Sequence, residues 1–179
     1  MLGPSDFGAW YEEEHPRVLA ALTVASGRAD VAREATDEAF VRAYERWERV
    51  RRMASPGGWL YRVALNDLRR RCRRQAIERE LLRRRRPGDE TASAPAALDP
   101  HVWDAVRALP QRQRTAVALR YVLDLPEAEV ARLMGVTRGA ASATLTTARR
   151  RLESLLAEPA AESWRPLPTP PATPAARHG

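Results

Sequence analysis

Apolar residues along this chain recur at three- and four-residue intervals, and no stretch alternates long enough to make a strand, so the pattern predicts an all-α protein. Phe7, Trp10, Tyr11, Val18 and Leu22 mark a first amphipathic helix ending near Ser26-Gly27. A second follows, with Asp30 as its expected cap and Thr36, Phe40, Ala43 and Trp47 as its stripe. Ser55-Pro56 reads as an N-cap followed by a first-turn proline and starts a third. There Leu60, Val63, Ala64, Leu68 and Cys72 form the apolar stripe, while Arg62, Asn66, Arg69, Arg70 and Arg73 fall largely off it. Such a helix packs on one face and offers cations and an amide on another, which suits nucleic-acid backbone and bases as well as plain solvation.

Residues 83–97 are rich in charge, Pro, Gly, Ser and Ala and read as a flexible linker. Asp99-Pro100 repeats the cap-plus-proline start, with Val102, Trp103, Val106 and Leu109 behind it. A further helix runs from about Gln111 to Val122 and carries Ala116, Leu119 and Val122. Leu125-Pro126 opens a short helix, Gly135 ends it, and Thr137 caps a longer one reaching about Leu156. Val130, Leu133, Val136, Ala141 and Leu145 are spaced to close a core between these last two helices, and Ala131 is small where they cross. This is the layout of a helix-turn-helix, whose second helix enters the major groove, although packed helix pairs with a Gly turn also serve other helical proteins. The expected organisation is two small helical domains, 1–82 and 98–157, joined by the linker 83–97 and followed by a disordered Pro/Ala-rich tail, 158–179.

Charge sharpens this picture. The chain carries a formal net charge of +7, and between Asp67 and Arg86 ten arginines face three acids, so the whole excess sits in that one stretch. A concentrated cationic stripe implies a polyanionic partner more strongly than a diffuse excess does. All 30 basic residues are arginine. The single cysteine, Cys72, reads as a small core residue, and the three histidines stand apart from it and from one another, so no metal or cofactor is expected. There is no Gly-rich phosphate loop and no nucleophile–base pair, so the chain is not expected to be an enzyme. No apolar run suits a membrane span or a secretory signal, and a reducing cytoplasm is the expected location.

The two halves in this order resemble the extracytoplasmic-function group of bacterial sigma factors, the initiation subunits of RNA polymerase. Asp30–Trp47 (DVAREATDEAFVRAYERW) is similar to the family's polymerase-binding helix, and Trp59–Arg71 (WLYRVALNDLRRR) to its −10-reading and promoter-melting helix. Leu109–Val136 is similar to its −35-binding domain. The resemblance implies that Asp37, Glu38, Phe40 and Arg42 lie on or under the surface that grips the polymerase coiled coil. It implies that the loop with Arg51, Arg52, Met53 and Ser55 holds an unstacked −10 base, and that Arg62, Asn66, Arg69 and Arg70 line the single strand's path. Arg138, Ser142, Thr144 and Arg149 would meet the −35 element. Family recognition helices carry basic residues ahead of the conserved leucine; here Ser142, Ala143 and Thr144 precede Leu145, and threonine cannot make the bidentate guanine contact of arginine.

The implied partners are core RNA polymerase and promoter DNA, with an anti-sigma factor as a further candidate. Two other readings stay open on the residues alone. One is a helix-turn-helix regulator that binds duplex DNA without polymerase; the other is a protein-interaction module with a solubilising Arg run.

Overall fold

The computed structural model of the chain describes residues 6–82 and 99–157. The expected linker, 83–97, and tail, 158–179, lie outside the described residues. Every regular element among those described is helical.

In the first half, α1 spans Phe7–Ser26 and begins where the Asp6 carboxylate accepts from the backbone of Gly8 (3.0 Å) and Ala9 (3.3 Å). It stops at Gly27, whose φ of 73° is the left-handed conformation a helix end favours and a side chain resists. The second helix, α2, spans Ala29–Glu45 after an extended Arg28. Asp30 is therefore not its cap. It sits inside the first turn and takes the Arg28 guanidinium at 2.5 Å, which lowers its pKa. A single turn, α3 (Trp47–Val50), leads into the long α4, Pro56–Leu82. Ala32, Ala35, Ala39 and Ala43 on α2 are fully buried, and such small residues let α1 and α4 both pack closely against it.

The second half comprises α5 (Pro100–Arg107), α6 (Gln111–Val117), a π-helical stretch (Ala118–Val122), α7 (Glu127–Met134) and α8 (Arg138–Ala157). Asp99 caps α5 and Thr137 caps α8, as their sequence signals predict. Gly135 closes α7 at φ 69°. The long helix α8 rests on α5, α6 and α7.

The pattern predicts two separate small cores, whereas the described residues share an apolar seam. Val18 and Leu22 of α1, with Tyr61 and Leu65 of α4, meet Ala118, Leu119 and Leu123 of the second half around an apolar cavity of about 20 Å3. A void of that size has room for one water at most and no polar group to hold it. The residues Ala21–Ser26 are all buried, because α1 is covered by α2 and α4 on one side and by α6 and the π-helical stretch on the other.

Polar bonds border the seam. The half-buried Arg114 guanidinium donates to the carbonyls of Arg107 (3.0 Å), the last residue of α5, and of Leu109 (2.8 Å), just past it. Its other face donates to Ser26 (3.2 Å) and Ala25 (3.5 Å), the last carbonyls of α1. One side chain thus caps two helix ends, one in each half, where the helix dipoles present partial negative charge.

Gly135 has open space where a Cβ would go, so substitution there meets backbone strain alone. Gly135→Ala is expected to lower stability by about 1–2 kcal/mol, the cost of a left-handed non-glycine residue, read from the urea denaturation midpoint.

Candidate nucleic-acid interface

The site is built on α4. Its first turn is closed by Ser55, whose hydroxyl accepts from the Gly58 N–H at 3.1 Å. Leu60, Ala64 and Leu68 are buried, with Val63 and Cys72 half-buried behind them, so the predicted stripe is the packed face. Trp59 is half-buried against the same core. Tyr61 is buried and donates to Glu14 Oε2 at 2.6 Å. Burial and that carboxylate raise its phenol pKa far above the ordinary range, which marks a packed ring rather than one offered to a base.

On the other side of α4, Arg62, Asn66, Arg70 and Arg73 are exposed. A carboxylate organises part of this edge. The Asp67 side chain is 0% exposed and pairs with both Arg70 and Arg71, and Arg71 continues to Glu34 on α2. Arg70 remains 57% exposed, so its guanidinium is steadied from beneath while facing solvent. Arg69 departs from its expected place in this row. It is half-buried and donates to the Leu133 carbonyl of α7 at 3.3 Å, and burial lowers its pKa. Arg69 and Arg73 also line a groove of about 540 Å3 with Gln111, Arg112 and Met134 of the second half.

The loop ahead of α4 is largely tied down. Arg51 donates twice to Glu48 (3.0 and 2.6 Å) and lowers that carboxyl's pKa, while Arg52 joins it at 3.2 Å. Met53 is half-buried on the core, and the Ser55 hydroxyl already serves as a cap. Arg52 keeps 72% of its side chain exposed and is the freest cation of the loop.

A second surface lies on α1 and α2. Asp37 is exposed and 3.4 Å from the His15 ring, and Glu38 pairs with Arg42 at 2.8 Å one turn on. Phe40 is only 3% exposed; it packs edge-on against Tyr11 and Trp10 and supports the surface from below rather than forming it. Tyr11, Val41 and Tyr44 form the exposed apolar part, beside Asp37 and Glu45 in a shallow pocket of about 530 Å3. Sequence reasoning passed over Val41 and Tyr44. Their signal was two large apolar residues three apart and off the buried stripe.

In the helix-turn-helix, Val130, Ala131, Leu133, Ala141 and Leu145 are buried and Val136 half-buried, as the spacing predicts. On α8, Arg138 and Arg149 are exposed. Ser142 and Thr144 are only half-exposed, and the Thr144 hydroxyl donates to the Ala140 carbonyl at 2.7 Å. The outermost line runs instead through Gly139, Ala143, Thr147 and Arg150, because Ala141, Leu145 and Ala148 face inward. The centre of that line is small and uncharged.

These elements pair a cationic helical unit with a helix-turn-helix, the layout of a nucleic-acid-binding protein. Comparison with known proteins makes the assignment specific: residues 10–77 match the family described as Sigma-70 region 2, and residues 102–152 that described as Sigma-70, region 4. The chain belongs to the sigma-70 family of RNA polymerase sigma factors, in the extracytoplasmic-function branch. An uncharacterized protein of Rhizobium meliloti (strain 1021) is 30% identical over 150 residues, which cover 76% of this chain and 36% of that protein. The chain thus spans about a third of the curated relative it matches. Among solved structures, the sigma factor RpoE from Bartonella quintana, in complex with the anti-sigma factor NepR, is 21% identical with a TM-score of 0.74, over 86% of this chain and 98% of that one. CnrH, in complex with the cytosolic domain of CnrY, is 21% identical with a TM-score of 0.56, over 84% and 86%. Both share the fold. No helix among the described residues is long and apolar enough to cross a membrane.

The ion pairs on α4 are unequal. Asp67→Asn removes charge-assisted bonds from a fully buried group and is expected to lower stability by about 1.5–3 kcal/mol in urea denaturation. Glu34→Gln, at a site 63% exposed, is expected to change it by under about 0.5 kcal/mol.

Proposed function

We propose that this chain binds core RNA polymerase and directs it to selected promoters, with the 1–82 half holding polymerase and the melted −10 strand and the 98–157 half holding the −35 element. The observation that carries the reading is the pairing of both units in one chain, with an apolar patch and a cationic helix edge on the first. Chemistry would come from the polymerase.

Tyr11, Val41 and Tyr44, rimmed by Asp37 and Glu45, fit a partner surface that is apolar at its centre and basic at its edge. Arg62, Asn66, Arg70 and Arg52 are the exposed groups suited to a single strand's phosphates and base edges. On α8, Arg138 at its start and Arg149 and Arg150 past its middle suit phosphates, and the small face between them suits close approach to thymine methyls. An anti-sigma factor is a fitting further partner, since the neighbouring RpoE and CnrH structures hold NepR and the cytosolic domain of CnrY. A soluble cytoplasmic location follows from work at the polymerase.

Run-off transcription with purified core polymerase on genomic DNA tests the reading; specific transcripts that require the chain are expected, and their absence alongside polymerase-free duplex binding would favour a stand-alone regulator. Three variants divide the roles. Tyr44→Ser with Val41→Ser is expected to weaken co-purification with core polymerase at least tenfold at the cost of only a small drop in thermal stability, since both side chains are mostly exposed and Tyr44 gives up one edge-on contact with Phe7. Asn66→Ala is expected to leave polymerase binding intact and slow promoter opening, read by permanganate footprinting. Thr147→Arg adds a cation to the outer line of α8, and the log–log salt slope of promoter binding should steepen by about one unit if it reaches a phosphate.

A further inference from the structure

A groove runs between α4 and α6, beside the exposed row of Arg62, Asn66 and Arg70. Arg69 and Arg73 of α4 line one wall and Gln111 and Arg112 of α6 another, around about 540 Å3. Sites for small organic ligands span roughly 300–1,000 Å3, so the space suits one such molecule. Cys72, Ala76, Met134 and Val136 add a soft, largely apolar surface, and none of the described residues that line the groove is acidic.

Three guanidinium groups therefore share this space without a carboxylate. Elsewhere on α4 arginine is balanced: Arg70 and Arg71 sit on Asp67, and Arg71 also reaches Glu34. Arg73 and Arg112, both exposed, pair with no carboxylate among the described residues. Arg69 is half-withdrawn from water, and its bond goes to the Leu133 carbonyl, which carries only the partial negative charge of a helix end. Desolvating a cation without an anion is costly, and like charges gathered in one groove add to the cost. A bound anion relieves both.

The shape of the groove favours a compact ligand over a passing strand. Arg62, Asn66 and Arg70 recur at four-residue spacing along the open edge of α4. Arg69, Cys72, Arg73 and Ala76 form the neighbouring stripe, which α6 and the turn of the helix-turn-helix wall off, with Arg69 tying α4 to α7.

We propose that this groove binds a nucleoside di- or triphosphate, with Arg73 and Arg112 gripping the phosphates from two helices and the base lying on Ala76, Met134 and Val136. Guanidinium offers paired donors to phosphate oxygens, and the polarizable thioether of Met134 suits the flat face of a base. The exposed Gln111 amide can both donate and accept, which fits a base edge or a ribose hydroxyl. The site goes beyond promoter recognition, since it needs neither polymerase nor DNA. Because both halves supply contacts, the nucleotide stabilises the whole chain by mass action, and Tm rises with its concentration.

Isothermal titration calorimetry on the full chain, at physiological ionic strength and without polymerase or DNA, tests this with ATP, GTP, inorganic tripolyphosphate and adenosine. Saturable binding of at least one nucleotide is expected, tighter than tripolyphosphate and much tighter than adenosine. Arg112→Gln and Arg73→Gln each remove a charged donor at an exposed position and are expected to weaken it about tenfold. Ala76→Glu keeps every arginine but sets a carboxylate among them, and should abolish binding. Arg62→Gln, on the neighbouring row, should leave nucleotide binding intact and weaken that of a single-stranded oligonucleotide. Unchanged circular dichroism verifies the fold of each variant, and the wild-type titration stands without them. Absence of nucleotide binding by the wild-type chain overturns the proposal. So does binding that ignores Arg112 and Arg73, or that Arg62→Gln weakens equally, because a diffuse cationic surface then explains it. Tripolyphosphate binding as tightly as the nucleotide removes the base from the site and overturns the nucleotide assignment. An oligonucleotide that displaces the nucleotide, and itself needs Arg112, overturns it in favour of a strand in the groove.

Discussion

Everything in this fold hangs on α1 being buried from two directions. A helix covered on one side needs one apolar stripe; α1 from Ala21 to Ser26 is buried all round, with α2 and α4 against one flank and α6 and the π-helical stretch against the other. Apart from Leu22 its residues there are small or β-branched, which brings neighbouring axes close, and the chain must then turn at once at Gly27. That turn leaves the last carbonyls of α1 facing the second half, and Arg114 reaches them. The position of α6, and through it of α7 and α8, follows from this one buried end.

Local chemistry made much of this legible in the sequence. Ser55-Pro56, Asp99-Pro100, Gly27, Gly135 and Thr137 each act through their own backbone within three residues, and each sits where its signal predicts. Asp30 misled because an acid near a helix start serves equally as a cap or as a first-turn partner; Arg28 beside it decided for the second. The periodicity of α4 separated packed from presented residues correctly except at Arg69, whose environment is set by Leu133, far along the chain. Long-range docking leaves no period to read.

The exposed patch on α2 and the outer face of α8 show the same boundary. Family resemblance placed Asp37, Glu38, Phe40 and Arg42 on or under one surface; the first two and Arg42 reach solvent, and the aromatic cluster of Phe7, Trp10 and Tyr11 holds Phe40 beneath them. On α8, a shift of one residue moves a side chain by about 100° around the helix, enough to exchange Thr144 for Ala143 at the outer line. Which rotation holds depends on how Leu145 and Ala148 seat in their neighbours, and that is a matter of packing.

The exposed edge of α4 owes its charge to guanidinium groups alone, since the chain has no lysine. Guanidinium stays protonated across the whole physiological range, and acylation of lysine amines has no target here. Methylation of arginine would keep the charge. The electrostatic field of this helix is therefore constant through changes of cellular pH and through lysine-directed enzymes, and only screening ions or a covering surface can turn it down.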